Sequence, residues 1–63
     1  MESEQIKTIR NQLGMSQQAF AAALGVSFAT VNRWENGKAK PQKDRVDRIK
    51  ALVYESSHAE AEA

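Results

Sequence analysis

The absence of cysteine from a chain of only 63 residues limits the folds that it can adopt, because no disulfide can support them. A domain of this size buries only about 60% of the surface that its unfolded chain exposes. Its single histidine, His58, lies in a polar tail, where metal ligation is not expected, and the chain has no thiolate for a metal site. Helices close their hydrogen bonds locally, so a chain without such supports favours them. We therefore expect an all-α domain with no metal or cofactor.

Apolar residues recur at helical spacing along the chain. Ile6, Ile9 and Leu13 are three and four residues apart and would lie on one face of a helix. Comparable patterns follow in three later segments, and no segment has the alternation of a strand. The sequence predicts a small bundle of four helices, with a fifth allowed, over residues 4–13, 17–24, 28–36 and 42–54.

A three-residue turn, Gly25-Val26-Ser27, separates the two short central helices. Gly25 permits the positive φ angle that a sharp turn after a helix requires. Ser16 and Ser27 stand where N-caps are expected, before the second and third helices. The apolar residues Val31 and Trp34 would point inward from the third helix, which predicts Trp34 in the core. A helix held in this way on the surface suits the major groove of DNA.

The basic residues are concentrated in the body of the chain. All nine lie between residues 5 and 54, where only three acidic residues occur, so this span carries a net charge of +6. The other five acidic residues lie at the two ends. This asymmetry favours a polyanionic partner, although an ordinary solvated surface is the alternative. We predict a domain over residues 1–55 and a disordered acidic tail over residues 56–63.

Several classes of function are not expected. No apolar run approaches the roughly 18 residues of a membrane span, and the polar, acidic N-terminus is unlike a signal peptide. A cytoplasmic location is therefore expected. The sequence has no carboxylate pair, no nucleophile with a base and no glycine-rich phosphate loop, which argues against an enzyme. Ser56 and His58 share the predicted tail and could not hold a catalytic geometry. Nothing in the sequence indicates a small-molecule ligand.

The segment from Ile9 to Ala21, IRNQLGMSQQAFA, resembles the opening of the Cro and phage-repressor (XRE-type) helix-turn-helix family. The similarity continues through Gly25-Val26-Ser27, Val31, the WENGK motif that begins at Trp34, and Pro41. It covers roughly residues 5 to 54. The resemblance implies a lambda-repressor-like DNA-binding domain, a double-stranded DNA partner, and a role as a transcriptional regulator, with repression expected.

The resemblance also implies roles for particular residues. Gln17 matches a residue that contacts a phosphate and braces the recognition helix. Arg10 and Glu35 match a partly buried ion pair between the first and third helices. The DNA-binding positions expected from the match and from the basic residues beside it are Ser16, Gln17, Ser27, Phe28, Ala29, Thr30, Asn32, Arg33, Asn36, Lys38, Lys40 and Lys43. Lys43, with Arg45 and Arg48, either extends the line of phosphate contacts or forms a solvated helix face.

The chemistry of Arg33, Phe28 and Glu35 limits what each side chain can contact. Arg33 could donate to guanine O6 and N7, or could contact a phosphate or only solvent. Phe28 could touch a thymine methyl or a sugar, or could pack on the second helix or on a dimer partner. Many members of the family have a polar residue at this position. Glu35 would repel phosphates if it were exposed, which predicts that it turns inward toward Arg10.

Two other functions fit the same fold. One is a protein-interaction module, antitoxin-like, that would engage its partner through Phe28 and Tyr54. The other is the DNA-targeting module of a larger enzyme. A weak homodimer through Leu52, Val53 and Tyr54 is a further hypothesis.

Overall fold

The computed structural model describes residues 1–58, which form four helices without a strand among them. The helices are α1 (Ser3–Gln12), α2 (Gln17–Leu24), α3 (Phe28–Glu35) and α4 (Lys43–His58). The first three agree with the predicted boundaries to within a residue or so. This confirms the all-α, four-helix architecture that the sequence predicts.

The fourth helix is longer than predicted. It continues through residues 56–58, which the sequence analysis placed in a disordered tail, and residues 59–63 of that tail lie outside the described residues. The Tyr54 and His58 rings, one helical turn apart, stack with their centroids 3.8 Å apart. The His58 Nδ1 atom lies 2.9 Å from the Tyr54 carbonyl oxygen. Side-chain pairs four residues apart stabilise a helix by about 0.2–0.5 kcal/mol, so this pair favours the extra turn.

Side chains from all four helices form one core. Its members are apolar and almost fully buried: Ile6, Phe20, Ala21, Leu24, Val31, Trp34 and Ile49. The prediction that Trp34 belongs to the core is confirmed, since only 4% of it is exposed. Three of these residues come from α2, so the helix with the highest density of alanine and leucine occupies the centre of the domain.

The two central helices begin and end as their sequences predict. Ser16 Oγ accepts a hydrogen bond from the Ala19 amide at 3.0 Å, and Ser27 Oγ accepts one from the Thr30 amide at 3.2 Å. Both serines are therefore N-caps. Gly25 ends α2 with a φ angle of 70°, in the left-handed region that glycine adopts without strain. The small Ala21, which is buried, lets α2 and α3 cross closely.

Helix α4 is only partly embedded. Ile49 is fully buried, whereas Val46 and Leu52 are half-buried. Val53 is 39% exposed, and the next residue, Tyr54, is 63% exposed. Within residues 1–58, no helix combines the length and apolar character that crossing a bilayer needs.

Candidate nucleic-acid interface

Helix α3 has one buried face and one exposed face. Val31, Trp34 and Glu35 are buried, at spacings of three and four residues. The opposite face consists of exposed or half-buried side chains, namely Ala29, Asn32, Arg33 and Asn36, whereas Phe28, seven residues before Glu35, lies in the first turn on nearly the same side as the buried residues. Ala29 and Arg33, two of the residues expected to read DNA, therefore lie on one surface, and the third, Phe28, is 52% exposed at the start of the helix.

A buried ion pair fixes the inner face of α3. Glu35 is only 5% exposed, and Arg10 of α1 donates to both of its carboxylate oxygens. The distances are 2.6 Å from Arg10 Nε to Glu35 Oε2 and 3.0 Å from Arg10 Nη2 to Oε1. Arg10 Nη1 also donates to the Met15 carbonyl at 2.9 Å, in the connection between α1 and α2. This bidentate pair is the one that the resemblance implies.

The surroundings of Glu35 keep it ionised. Burial alone would raise the pKa of Glu35, but hydrogen bonds from Arg10 and Gln17, together with the positive charges of Arg10 and Lys7, hold that pKa below its ordinary value of 4.5. The hydrogen bond to Glu35 raises the pKa of the Arg10 guanidinium in turn. The acidic residue within α3 thus presents no unpaired negative charge to an approaching phosphate.

A chain of side-chain amides connects this ion pair to the surface. Gln17 Nε2 donates to Glu35 Oε1 at 3.1 Å, and Gln17 Oε1 lies 3.4 Å from Asn32 Nδ2. Asn32 Oδ1 then accepts from Asn36 Nδ2 at 2.8 Å. Three predicted DNA-binding residues are therefore joined to one another and to the buried carboxylate. Their amide groups are oriented by the fold before any ligand arrives.

The other predicted DNA-binding residues lie at two helix N-termini and in the segment that follows α3. Ser16 and Ser27 are exposed at the N-termini of α2 and α3, where helix amides and dipoles favour phosphate. Thr30 Oγ1 is 2.9 Å from Ser27 Oγ, so it supports the cap of α3. Lys38, Lys40 and Lys43 are exposed after α3, in the loop and at the start of α4.

Two contacts in this region have no signature in the sequence. Lys40 Nζ lies 3.1 Å from Glu2 Oε1 in an ion pair exposed on both sides, which contributes little and could be exchanged for a phosphate. Arg45, expected to contact phosphate or solvent, instead donates to the Leu24 carbonyl of α2 and is half-buried. No sequence pattern distinguishes such an arginine from a solvated one.

The surface around α3 carries many hydrogen-bond donors. Residues 1–58 contain no group of three or more acidic, histidine or cysteine side chains that could hold a metal. Within the same residues, every buried side-chain nitrogen or oxygen has a hydrogen-bond partner. What the surface offers is a row of amide, hydroxyl and cationic donors, which matches the acceptors of a phosphate backbone and of guanine.

Replacing Glu35 with alanine is expected to lower the free energy of unfolding by about 3–5 kcal/mol, because it strands the Arg10 guanidinium. Urea titration followed by circular dichroism measures this loss, and Glu35→Gln provides a milder variant if the alanine variant does not fold. Asp47→Ala, at an exposed position of α4, is the control and should change the value by no more than about 0.5 kcal/mol. An unchanged unfolding midpoint for Glu35→Ala would contradict the proposed importance of the pair.

The lowered pKa of Glu35 also predicts how stability depends on pH. The pair's contribution is complete above pH 4.5, the ordinary pKa, and is lost as the pH falls through the lower pKa of the folded protein. The difference in unfolding free energy between wild type and Glu35→Gln, measured in urea at successive pH values from neutral to acidic, should therefore shrink below pH 4.5. A difference independent of pH would show that Glu35 does not titrate with a lowered pKa.

Comparison with known proteins agrees with the geometry. The sequence model of a helix-turn-helix family matches residues 6–50, which include the ion pair, the Gly25 turn and the whole of α3. Neither the curated proteins nor the solved structures contain a significant match. Because the match extends over most of the chain, the protein belongs to the Cro and phage-repressor (XRE-type) helix-turn-helix family of DNA-binding domains.

Proposed function

We propose that this domain binds double-stranded DNA at specific sequences and acts as a transcriptional regulator, with repression as the expected effect. In this proposal, α3 enters the major groove with its exposed face toward the bases. Phe28, Ala29 and Arg33 read base edges, and Thr30 and Asn32 flank them. The observation that carries the proposal is the separation of α3 into a face locked in the core and a face of unburied side chains.

Phosphate contacts would set the register of α3 along the groove. The N-terminus of α2, with Ser16 and Gln17, and the N-terminus of α3, with Ser27, offer helix amides to one stretch of backbone. Asn36 and the exposed lysines 38, 40 and 43 offer donors to another. These two groups flank the exposed face of α3 in the chain, as expected when backbone contacts position a helix and base contacts give specificity.

Two substitutions distinguish base reading from phosphate contact. Arg33→Ala should lose about 1–3 kcal/mol of discrimination at particular base pairs, because the guanidinium can donate to guanine O6 and N7. Lys38→Ala should weaken binding to all DNA sequences alike. It should also reduce the magnitude of the slope of log K, the observed binding constant, against log salt concentration by about 1. Fluorescence anisotropy at two salt concentrations measures both effects, with duplexes selected from a random pool.

Two other outcomes would contradict these expectations. Equal weakening on all duplexes by Arg33→Ala would make Arg33 a phosphate contact. If no duplex is enriched and the wild type does not bind DNA at low salt, the proposed function is wrong. The exposed aromatic rings of Phe28 and Tyr54 would then point to a protein-interaction module instead.

We further propose that two copies bind together through the end of α4. Leu52 is half-buried, and Val53 and Tyr54 are exposed beside it, so a small apolar surface remains there. Helix-turn-helix domains on DNA pair across half-sites about one helical turn apart. Sedimentation equilibrium at high micromolar concentration should show a weak dimer that Tyr54→Ala abolishes. A monomer at every concentration would contradict this proposal.

A further inference from the structure

The carbonyl groups at the end of α2 are satisfied partly by backbone amides and partly by side chains of α4. A helix leaves its last four carbonyls without partners in the helix, which here are those of residues 21–24. The Val26 amide donates to the Ala21 carbonyl at 3.0 Å and the Gly25 amide to the Ala22 carbonyl at 3.2 Å. This is the Schellman pattern, and it leaves the last two carbonyls of α2 without a backbone donor.

Both of these carbonyls face arginines from α4. Arg45 Nη1 donates to the Leu24 carbonyl, and Arg48 Nε lies 3.5 Å from the Ala23 carbonyl, at the outer limit of a hydrogen bond. Asp44 Oδ2, 3.3 Å from Arg45 Nη2, orients the Arg45 guanidinium. A positive charge at the C-terminus of a helix is also favoured by the helix dipole. Arg45 therefore joins α4 to the residue that precedes the Gly25 turn.

We propose that Arg45 is a positioning residue for DNA recognition, which holds the Gly25-Val26-Ser27 turn and thereby the N-terminal end of α3. The inference rests on the proposed function and deepens it. The Leu24 carbonyl belongs to the peptide unit that enters the turn, and Ser27, two residues after Gly25, caps α3. A Cβ on Gly25 would lie 3.5 Å from Arg45 Nη1, so the guanidinium also lies against the turn itself. Loss of this contact would let the first turn of α3, with Phe28 and Ala29, change its orientation relative to the rest of the domain.

Arg45→Met tests this role, because it retains the length of the side chain and removes its donors. We expect it to reduce the ratio of specific to non-specific DNA affinity about tenfold, as for loss of a charge-assisted hydrogen bond, with an unchanged salt slope. Arg45→Lys retains one donor group and should recover part of the ratio. Lys50→Met removes a positive charge from an exposed position of the same helix and should leave the ratio unchanged.

A second measurement needs no DNA. The amides of Val26, Thr30 and Val31 are hydrogen-bonded within the turn and the first turn of α3, and hydrogen exchange followed by NMR reports how often they open. Arg45→Met should accelerate exchange at these amides more than at buried amides of α1. Uniform acceleration throughout the domain would indicate a loss of overall stability alone and would overturn the proposal.

The outcomes separate this inference from the proposed function. A salt slope reduced by about 1, with the affinity ratio unchanged, would make Arg45 a phosphate contact and overturn the positioning role. If the wild type binds no DNA, the proposed function fails. Faster hydrogen exchange in Arg45→Met that is confined to the turn amides would then still support the contact between Arg45 and the turn. Exchange rates unchanged by the substitution would overturn it.

Discussion

The rest of the structure depends on the ion pair between Arg10 and Glu35, because it brings three segments of the chain to one buried point. Arg10 lies on α1, Glu35 on α3, and the Met15 carbonyl, which also accepts from Arg10, lies between α1 and α2. Two buried charges are costly unless their donors and acceptors are satisfied. Here the carboxylate accepts three hydrogen bonds, including one from Gln17. The rotation of α3 about its own axis is thereby fixed by polar geometry as well as by the burial of Val31 and Trp34.

Helix α3 is held near both of its ends. Glu35 anchors its last turn to α1, and Arg45 fastens the peptide that leads into the turn before its first residue. Between these points, Gln17, Asn32 and Asn36 are already hydrogen-bonded to one another. Side chains ordered in advance lose less conformational entropy when a ligand binds. A small domain with few core residues can present a well-defined surface because polar contacts hold the element that carries it.

Local rules account for most of the fold that could be predicted from the sequence. The spacing of apolar residues, the caps Ser16 and Ser27 and the glycine after α2 act within a few residues, and all are present as predicted. Glu35 could be placed inside because an exposed carboxylate would oppose phosphate binding. The contacts of Arg45 and Lys40 could not be predicted, because a long side chain reaches partners distant in sequence without leaving a periodic pattern. The extension of α4 to His58 was not predicted because its last turn has no apolar periodicity, although it contains the stack between Tyr54 and His58.

The same contacts change how the charge of the chain should be interpreted. The sequence places nine cations in the body of the domain, but Arg10 is neutralised by a buried carboxylate. The guanidinium of Arg45 faces a helix end and an aspartate, and Lys40 is paired with Glu2 at the surface. Counterion release depends on the cations that reach phosphates, not on the cations in the chain. Arg33, Lys38 and Lys43, together with Lys40 when its exposed pair with Glu2 opens, place positive charge on and just after α3, whereas Lys7, Arg48 and Lys50 lie on α1 and α4.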